Sequence, residues 1–334
     1  MPLGQVQRRE FILGIGSAAA LSPRAGLAQA PARLRRIGVL MHLPENSAEG
    51  KARIAAFWSG FEKLGWSEGR NVRVDVRWIG GNPDLARAYA AELVDSRPDV
   101  LLAGNSEVTK ALRSATPTIP IVFAEIIDPI SYGLVASLAR PGGNMTGFMM
   151  FETSLAAKWL ELLKQMKPEM ARLAVMYDPA MPSAGGFLTA LEQAAAFSAV
   201  PISATAVRNA PDIERFFATL GDAASLGAIE LPGSIMAFHR KLIIGLAIEH
   251  RLPMVYGLRD NPVNGGLASY GVNSVDLYRQ SASYVDRILK GEVPKDLSVQ
   301  AADRYELVIN LKSAKAIGLE LPPALLARAD EVIE

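Results

Sequence analysis

The chain has 334 residues and no cysteine. Disulfides, a thiol nucleophile, thiolate metal sites and the lipidated cysteine of a bacterial lipoprotein are therefore excluded. The compartment stays open on that ground, because an exported protein can fold without disulfides. Histidine is scarce too. His42, His239 and His250 are the full set of three, and they lack metal-ligand spacing. No sign of charge dominates: 35 basic residues face 34 acidic ones, for a formal net charge of +1. No basic patch points to nucleic acid, and no charge run marks a disordered tail. The sequence has no G-x-S-x-G elbow and no P-loop. It also has no apolar run of the ~20 residues that a membrane-spanning helix needs. Half of the residues are hydrophobic, enough for one large domain or two medium ones.

The N-terminus carries an address. Gln7-Arg8-Arg9-Glu10-Phe11-Ile12 resembles the twin-arginine export motif, with Gln7 in place of Ser or Thr and Leu13 where Lys is frequent. A mildly apolar segment follows over residues 11–21, with Arg24 just beyond it. Gly26-Leu27-Ala28 and Ala28-Gln29-Ala30 both have small residues at the cleavage spacing. A cut after Ala28 is preferred, because Pro31 would directly follow the other. Residues 1–28 are expected to be an export signal and the mature protein to be periplasmic. The competing reading is a soluble amphipathic N-terminal helix.

Beyond the signal, strand and helix patterns alternate. Residues 35–41 and 98–104 read as buried strands. Residues 71–78 alternate Val72, Val74, Val76 and Trp78 with polar residues, the period of a strand. Residues 52–64 and 85–96 read as amphipathic helices. Residues 119–123 form a short apolar strand, and Asp128-Pro129 has the look of a helix start, with a capping acid before proline. A helix is expected over residues 130–139, ended by Pro141-Gly142-Gly143. The pattern then restarts. Residues 172–177 mirror 36–41, residues 226–231 mirror 98–103, and 252–256 mirror 119–123. One helix is expected over 236–250, another over 275–289, and a last one over 324–332. Such alternation predicts parallel sheets covered by helices, arranged as two lobes of similar topology.

Several runs together resemble one family, the soluble substrate-binding proteins of ABC importers, in the branch of the tryptophan-uptake type. They are G-x-N-V-x-V-x-x-R-W (69–78), T-I-P-I-V-F (118–123), D-P-I-x-x-G-L-V-x-S-L-A-R-P-G-G-N-M-T-G-F (128–148), H-R-L-P (250–253), G-G-L-A-S-Y-G (265–271), Y-V-D-R-I-L-K-G (284–291) and Y-E-L-V-I-N-L-K-S-A-K-A-I-G-L-x-L-P-P (305–323). The resemblance implies a periplasmic-binding-protein type I flytrap: two Rossmann-like α/β lobes joined by three crossovers. Lobe one would hold residues 33–146 and about 268–296, and lobe two 149–265 and about 299–334. It also implies a small-molecule ligand, an ABC permease and ATPase as partners, no cofactor and no catalysis. A monomer is expected.

Ligands of open α/β sheets bind beyond the carboxyl ends of the strands. The candidate contacts are therefore Asn105, Ser106 and Asp128 in lobe one, Tyr177, Asp178 and Tyr256 in lobe two, and Ser269 and Tyr270 at a crossover. Each has a second reading. Asp128 can receive a ligand ammonium, serve only as a cap, or do both. Asn105 and Ser106 can present helix N-terminal groups to a ligand carboxylate or simply form a polar loop. Asp178 can be a turn residue, and any of the tyrosines can be core. Glu230 interrupts an apolar strand and needs a partner, such as Arg259 or His239, or a place at the cleft. Two other functions stand beside transport: a sensor subunit for a membrane receptor, and an exported enzyme using Asp128 and Glu230 as paired carboxylates.

Overall fold

The computed structural model describes residues 33–221 and 225–334. The expected export signal at residues 1–28 lies outside them.

The chain first builds a sheet from β1 (Arg35–Met41), β2 (Val72–Trp78), β3 (Val100–Ala103), β4 (Ile121–Ile126) and β5 (Met145–Met149), with helices α1 (Ala48–Lys63), α2 (Pro83–Asp95) and α3 (Ser106–Ala115) between them. Every residue of β3 and β4 is buried, which is why β3 reads as an unbroken apolar run and β4 as one interrupted by Glu125. The edge strand β2 is half-buried along most of its length, so it alternates instead.

A second sheet follows. Its strands are β6 (Arg172–Tyr177), β7 (Ile202–Ala206), β8 (Leu226–Glu230), β9 (Met254–Tyr256) and β10 (Ala268–Val272). Its helices are α4 (Leu155–Met166), α5 (Ala184–Phe197), α6 (Ala210–Thr219), α7 (Ser234–Phe238), α8 (Arg240–Glu249) and α9 (Asp260–Val263). The last part of the chain adds α10 (Ser274–Leu289), β11 (Gln300–Ala301), β12 (Tyr305–Asn310), α11 (Leu311–Ala316), α12 (Pro323–Leu326) and β13 (Glu331–Ile333).

The first sheet has the order β11-β5-β4-β3-β1-β2 and the second β13-β12-β10-β9-β8-β6-β7. All neighbours are parallel except β10 and β12. The chain passes from one sheet to the other after β5, after β10 and after β11, giving the three crossovers of the flytrap. At the first of these, Gly147 lies beside Phe123. A Cβ there would sit 2.0 Å from the Phe123 carbonyl oxygen, and its φ is +151°. Only glycine lets β5 approach β4 that closely.

The crossover positions differ from those expected. Residues 268–272 belong to the second sheet, between β9 and β12. The chain therefore returns to the first lobe at Asn273, not at 268. Asn273 then caps α10, accepting from the amides of Val275 and Asp276, and α10 packs on α1, β3 and β4. Residues 300–301 pair with β5 of the first sheet, so the last crossing follows Ala301 instead of preceding residue 299. Thr146 anchors that segment by donating to the Leu297 carbonyl at 2.6 Å.

Three expected helices change. Residues 130–139 form turns, because Gly133 takes a φ of +63° and ends the helical path after one turn. The 236–250 helix is two helices, α7 and α8, broken at His239. The 324–332 helix stops at Leu326, and the tail turns into β13. Leu307 and Asp330 fix this turn reciprocally: the Leu307 amide donates to Asp330 Oδ2 at 2.8 Å, and the Asp330 amide donates to the Leu307 carbonyl at 2.9 Å.

Candidate functional site

Parallel strands all deliver their carboxyl ends to one edge of a sheet, so the loops after them collect there. In the first lobe, β3 ends at Gly104 and the chain enters α3. Asn105 is the N-cap, its Oδ1 accepting from the Val108 amide at 3.1 Å. Ser106 begins the helix and hydrogen-bonds the phenol of Tyr132. After β4, Asp128 Oδ1 accepts from the amides of Ile130 and Ser131 at 3.2 and 3.0 Å, and Oδ2 accepts from the Ser131 hydroxyl at 2.5 Å. Asp128 thus caps a single turn, not a helix. That turn carries Tyr132, over whose ring Lys110 Nζ sits 4.2 Å from the centroid.

Tyr132 is the residue that sequence reasoning missed. Burial raises its phenol above the ordinary value, and the charges of Asp178 and Asp128 push the same way. Asp178 follows β6 in the second lobe, so Tyr132 gathers Ser106 and Asp128 from one lobe and Asp178 from the other. The signal was present: Tyr132 lies four residues beyond Asp128, in the same turn. Assigning residues 130–139 to a helix hid it.

In the second lobe, Asp178 is buried and its Oδ1 accepts from the Ala180 amide at 2.8 Å. Tyr177 is half-buried and packs on the core. Register places Glu230 beside Tyr256 and Tyr256 beside Ser269, in one row across β8, β9 and β10. All three are buried, and among the described residues Glu230 Oε2, the Tyr256 hydroxyl and the Ser269 hydroxyl have no hydrogen-bond partner. Burial drives the Glu230 carboxyl up to about 8, against the pull of Arg240 and a hydrogen bond from Asn261. Tyr256 is pushed well above its ordinary value by burial and then by Glu230. The expected partners of Glu230 go elsewhere: Arg259 pairs with Glu331 at 2.5 Å, and Asn261 takes the place proposed for it or His239. Tyr270 points away from this row, as strand alternation requires, and stacks on Tyr305 with centroids 5.8 Å apart. The eight candidates therefore divide. Ser106, Asp128 and Asp178 act on Tyr132, Asn105 caps α3 beside Ser106, Tyr256 and Ser269 join Glu230, and Tyr177 and Tyr270 pack separately.

A second set of polar groups spans the lobes. Arg53 of α1 donates through Nε to Glu125 Oε1 at 3.0 Å and through Nη2 to Asp260 Oδ2 at 3.1 Å. Arg240 of α8 donates to Glu49 Oε1 at 3.0 Å. Burial raises the Glu125 carboxyl, and Arg53 opposes that rise. Arg53 itself is held charged by Glu125 and Asp260 against the effect of burial. His42 lies 3.9 Å from Glu125, but burial first and Arg53 second lower its pKa to about 3. The contact is that of a neutral ring, not an ion pair. Among the described residues, no group of three or more His, Asp or Glu side chains could hold a metal ion. No helix among them is long and apolar enough to cross a membrane.

Residues 37–333 match the family of ABC transporter substrate binding proteins. The chain belongs to this family. A tyrosine-binding protein of Clostridioides difficile is 22% identical over 287 residues, covering 86% of this chain and 81% of that one. A conserved domain protein of Vibrio cholerae has a similar crystal structure, with a TM-score of 0.81 and 28% identity over 90% of this chain and 100% of that one. A Streptococcus pneumoniae ABC domain solved with L-Trp has a TM-score of 0.81 at 22% identity, over 90% of this chain and 100% of that one. The fold is thus shared with an ABC domain solved in complex with L-Trp. In this substrate-binding protein the loops at the strand ends are the candidate cleft.

Proposed function

We propose that this substrate-binding protein captures an amino acid, or a similar small carboxylate-bearing solute, between its lobes and delivers it to an ABC permease driven by ATPase subunits. The observation carrying this is the gathering of Ser106, Asp128 and Tyr132 of one lobe with Asp178 of the other. A solute bridging such groups interacts with both lobes only when they are closed, and that differential affinity drives closure. Asp128 and Asp178 supply negative charge for a ligand ammonium. Ser106 and its neighbours at the start of α3 supply N–H groups for a carboxylate, aided by the helix dipole. Tyr177 and Tyr270 supply apolar walls, while Tyr256 and Ser269 act from behind with Glu230. The related proteins from C. difficile and S. pneumoniae, named for tyrosine and solved with L-Trp, support an amino acid.

In this reading the protein performs no catalysis. It works outside the cytoplasm as a monomer, after export through residues 1–28 and without a lipid anchor. A thermal-shift panel of amino acids, organic acids and sugars tests it, with L-tryptophan and L-tyrosine included. A bound solute at a hundredfold excess over Kd stabilises by roughly 2.7 kcal/mol, a shift of several degrees. Shifts with amino acids are expected. Shifts with sugars alone, or turnover of the bound compound, would overturn the proposal.

A further inference from the structure

Four charged side chains form a ring between the lobes. Glu49 and Arg53 stand one turn apart on α1. Arg240 opens α8, and Asp260 opens α9. Around the ring, Glu49 lies 4.0 Å from Arg53, Arg53 3.1 Å from Asp260, Asp260 3.7 Å from Arg240, and Arg240 3.0 Å from Glu49. The signs alternate, and each lobe supplies one charge of each sign. The shortest two contacts are the two that cross between lobes. Asn264 of the second lobe adds a hydrogen bond to Glu49 Oε1 at 3.4 Å.

Three properties distinguish this ring from ordinary surface ion pairs. Its guanidiniums are largely buried, with side-chain exposures of 5% for Arg53 and 15% for Arg240, so solvent screens them less. Arg53 is also held from behind by Glu125, which belongs to its own lobe. Its position is therefore set before the lobes meet, and less side-chain freedom is lost on contact. Finally, each half of the ring pairs a cation with an anion, so closing it requires no charge from a solute.

We propose that Glu49, Arg53, Arg240 and Asp260 form a latch that favours the closed arrangement of the lobes by itself. The solute then acts on an equilibrium already biased toward closure. Its apparent affinity rises with the fraction of protein already competent to hold it. Salt weakens the latch and, through it, the affinity. The inference rests on the lobes opening and closing, and not on which solute is bound.

The absence of native cysteine makes a direct test simple. Spin labels on Lys63→Cys in α1 and Glu192→Cys in α5, both exposed positions, report the distance between lobes in protein with no solute added. The expected result is a predominantly short distance at low ionic strength. Glu49→Gln and Asp260→Asn should each shift the open-to-closed ratio toward open by roughly fivefold, the upper range for a part-exposed pair. These two residues are chosen because Arg53 cannot be removed without exposing Glu125 to an unpaired burial. Raising salt to about 1 M, where the screening length falls to ~3 Å, should move the unmutated ring the same way, so the test does not depend on a variant folding. A long distance at low salt, or a distance unaffected by salt and by both substitutions, would overturn the latch. A solute-binding failure alone leaves it standing, since no solute enters the measurement.

Discussion

Arg53 and Asp260 meet across the two lobes at 3.1 Å while the same guanidinium holds Glu125 of its own lobe at 3.0 Å. One side chain thus ties the interior of the first lobe to the surface of the second. Its removal acts on both. Glu125 is buried, with a side chain 4% exposed, and without Arg53 it loses the guanidinium that opposes the effect of burial on its charge. Arg53→Ala should destabilise the protein by about 3–5 kcal/mol, read as a lower denaturation midpoint. Arg53→Lys should recover only part of this, because an ammonium cannot reach two carboxylates with a planar fork. An unchanged midpoint in the alanine variant would show that Glu125 takes up a proton without cost.

Tyr132→Phe tests the cleft. The ring stays beneath Lys110, while the hydroxyl that meets Ser106 is lost. A hydrogen bond of this kind is worth about 1 kcal/mol. Affinity for an amino acid that gives a thermal shift should therefore fall about fivefold by calorimetric titration, with a stability loss of no more than about 1 kcal/mol. Asp178→Asn should weaken binding further if the ammonium lies between the lobes. Equal affinity in both variants would move the site elsewhere.

Glu230 sets a pH dependence on the alkaline side. Its carboxyl sits at about 8 in the folded protein, against 4.5 ordinarily. Between these values the unfolded chain has released the proton and the folded one retains it. Stability from this group is present below pH 4.5 and declines as pH rises toward 8. Glu230→Gln keeps a polar partner for Asn261 and removes the titration. The variant should gain stability over the parent at pH 8 and show little difference at pH 4.5. Parallel unfolding midpoints across that range would refute the assignment.

His42 acts on the acid side. Its folded pKa of about 3 lies below the ordinary 6.5. As pH falls from 6.5 toward 3, the unfolded chain binds a proton that the folded one excludes, so stability falls. His42→Gln should flatten the acid limb of the stability profile. A limb of unchanged slope would assign acid sensitivity to other groups.

Much of the architecture could be read locally. The buried strands at residues 121–126 and 226–230 are apolar apart from Glu125 and Glu230, because helices cover both faces of the sheets. The helix start at Asn105 and Ser106 was visible as a polar pair, whereas the cap Asn273 was shown by the structure. What failed did so for reasons of neighbourhood. The helical spacing over residues 324–332 is real, but the tail gains more by pairing with β12 through Leu307 and Asp330. Residues 130–139 carry apolar residues at helical intervals, yet Gly133 turns the chain and leaves Tyr132 against Ser106 instead.

The sequence by itself determined much of the element order, the doubled α/β pattern and the family, because these depend on periodicity, caps and runs of neighbouring residues. It also determined that Glu230 would need one or more partners, since a buried charge must be compensated wherever it lies. Only the tertiary structure decided which partners those are. Arg53 and Asp260 are separated by 207 residues, and no local pattern encodes a contact at that range. Their meeting depends on where the chain crosses between sheets, and β10 and β11 settle that through backbone pairing that is almost indifferent to side-chain identity.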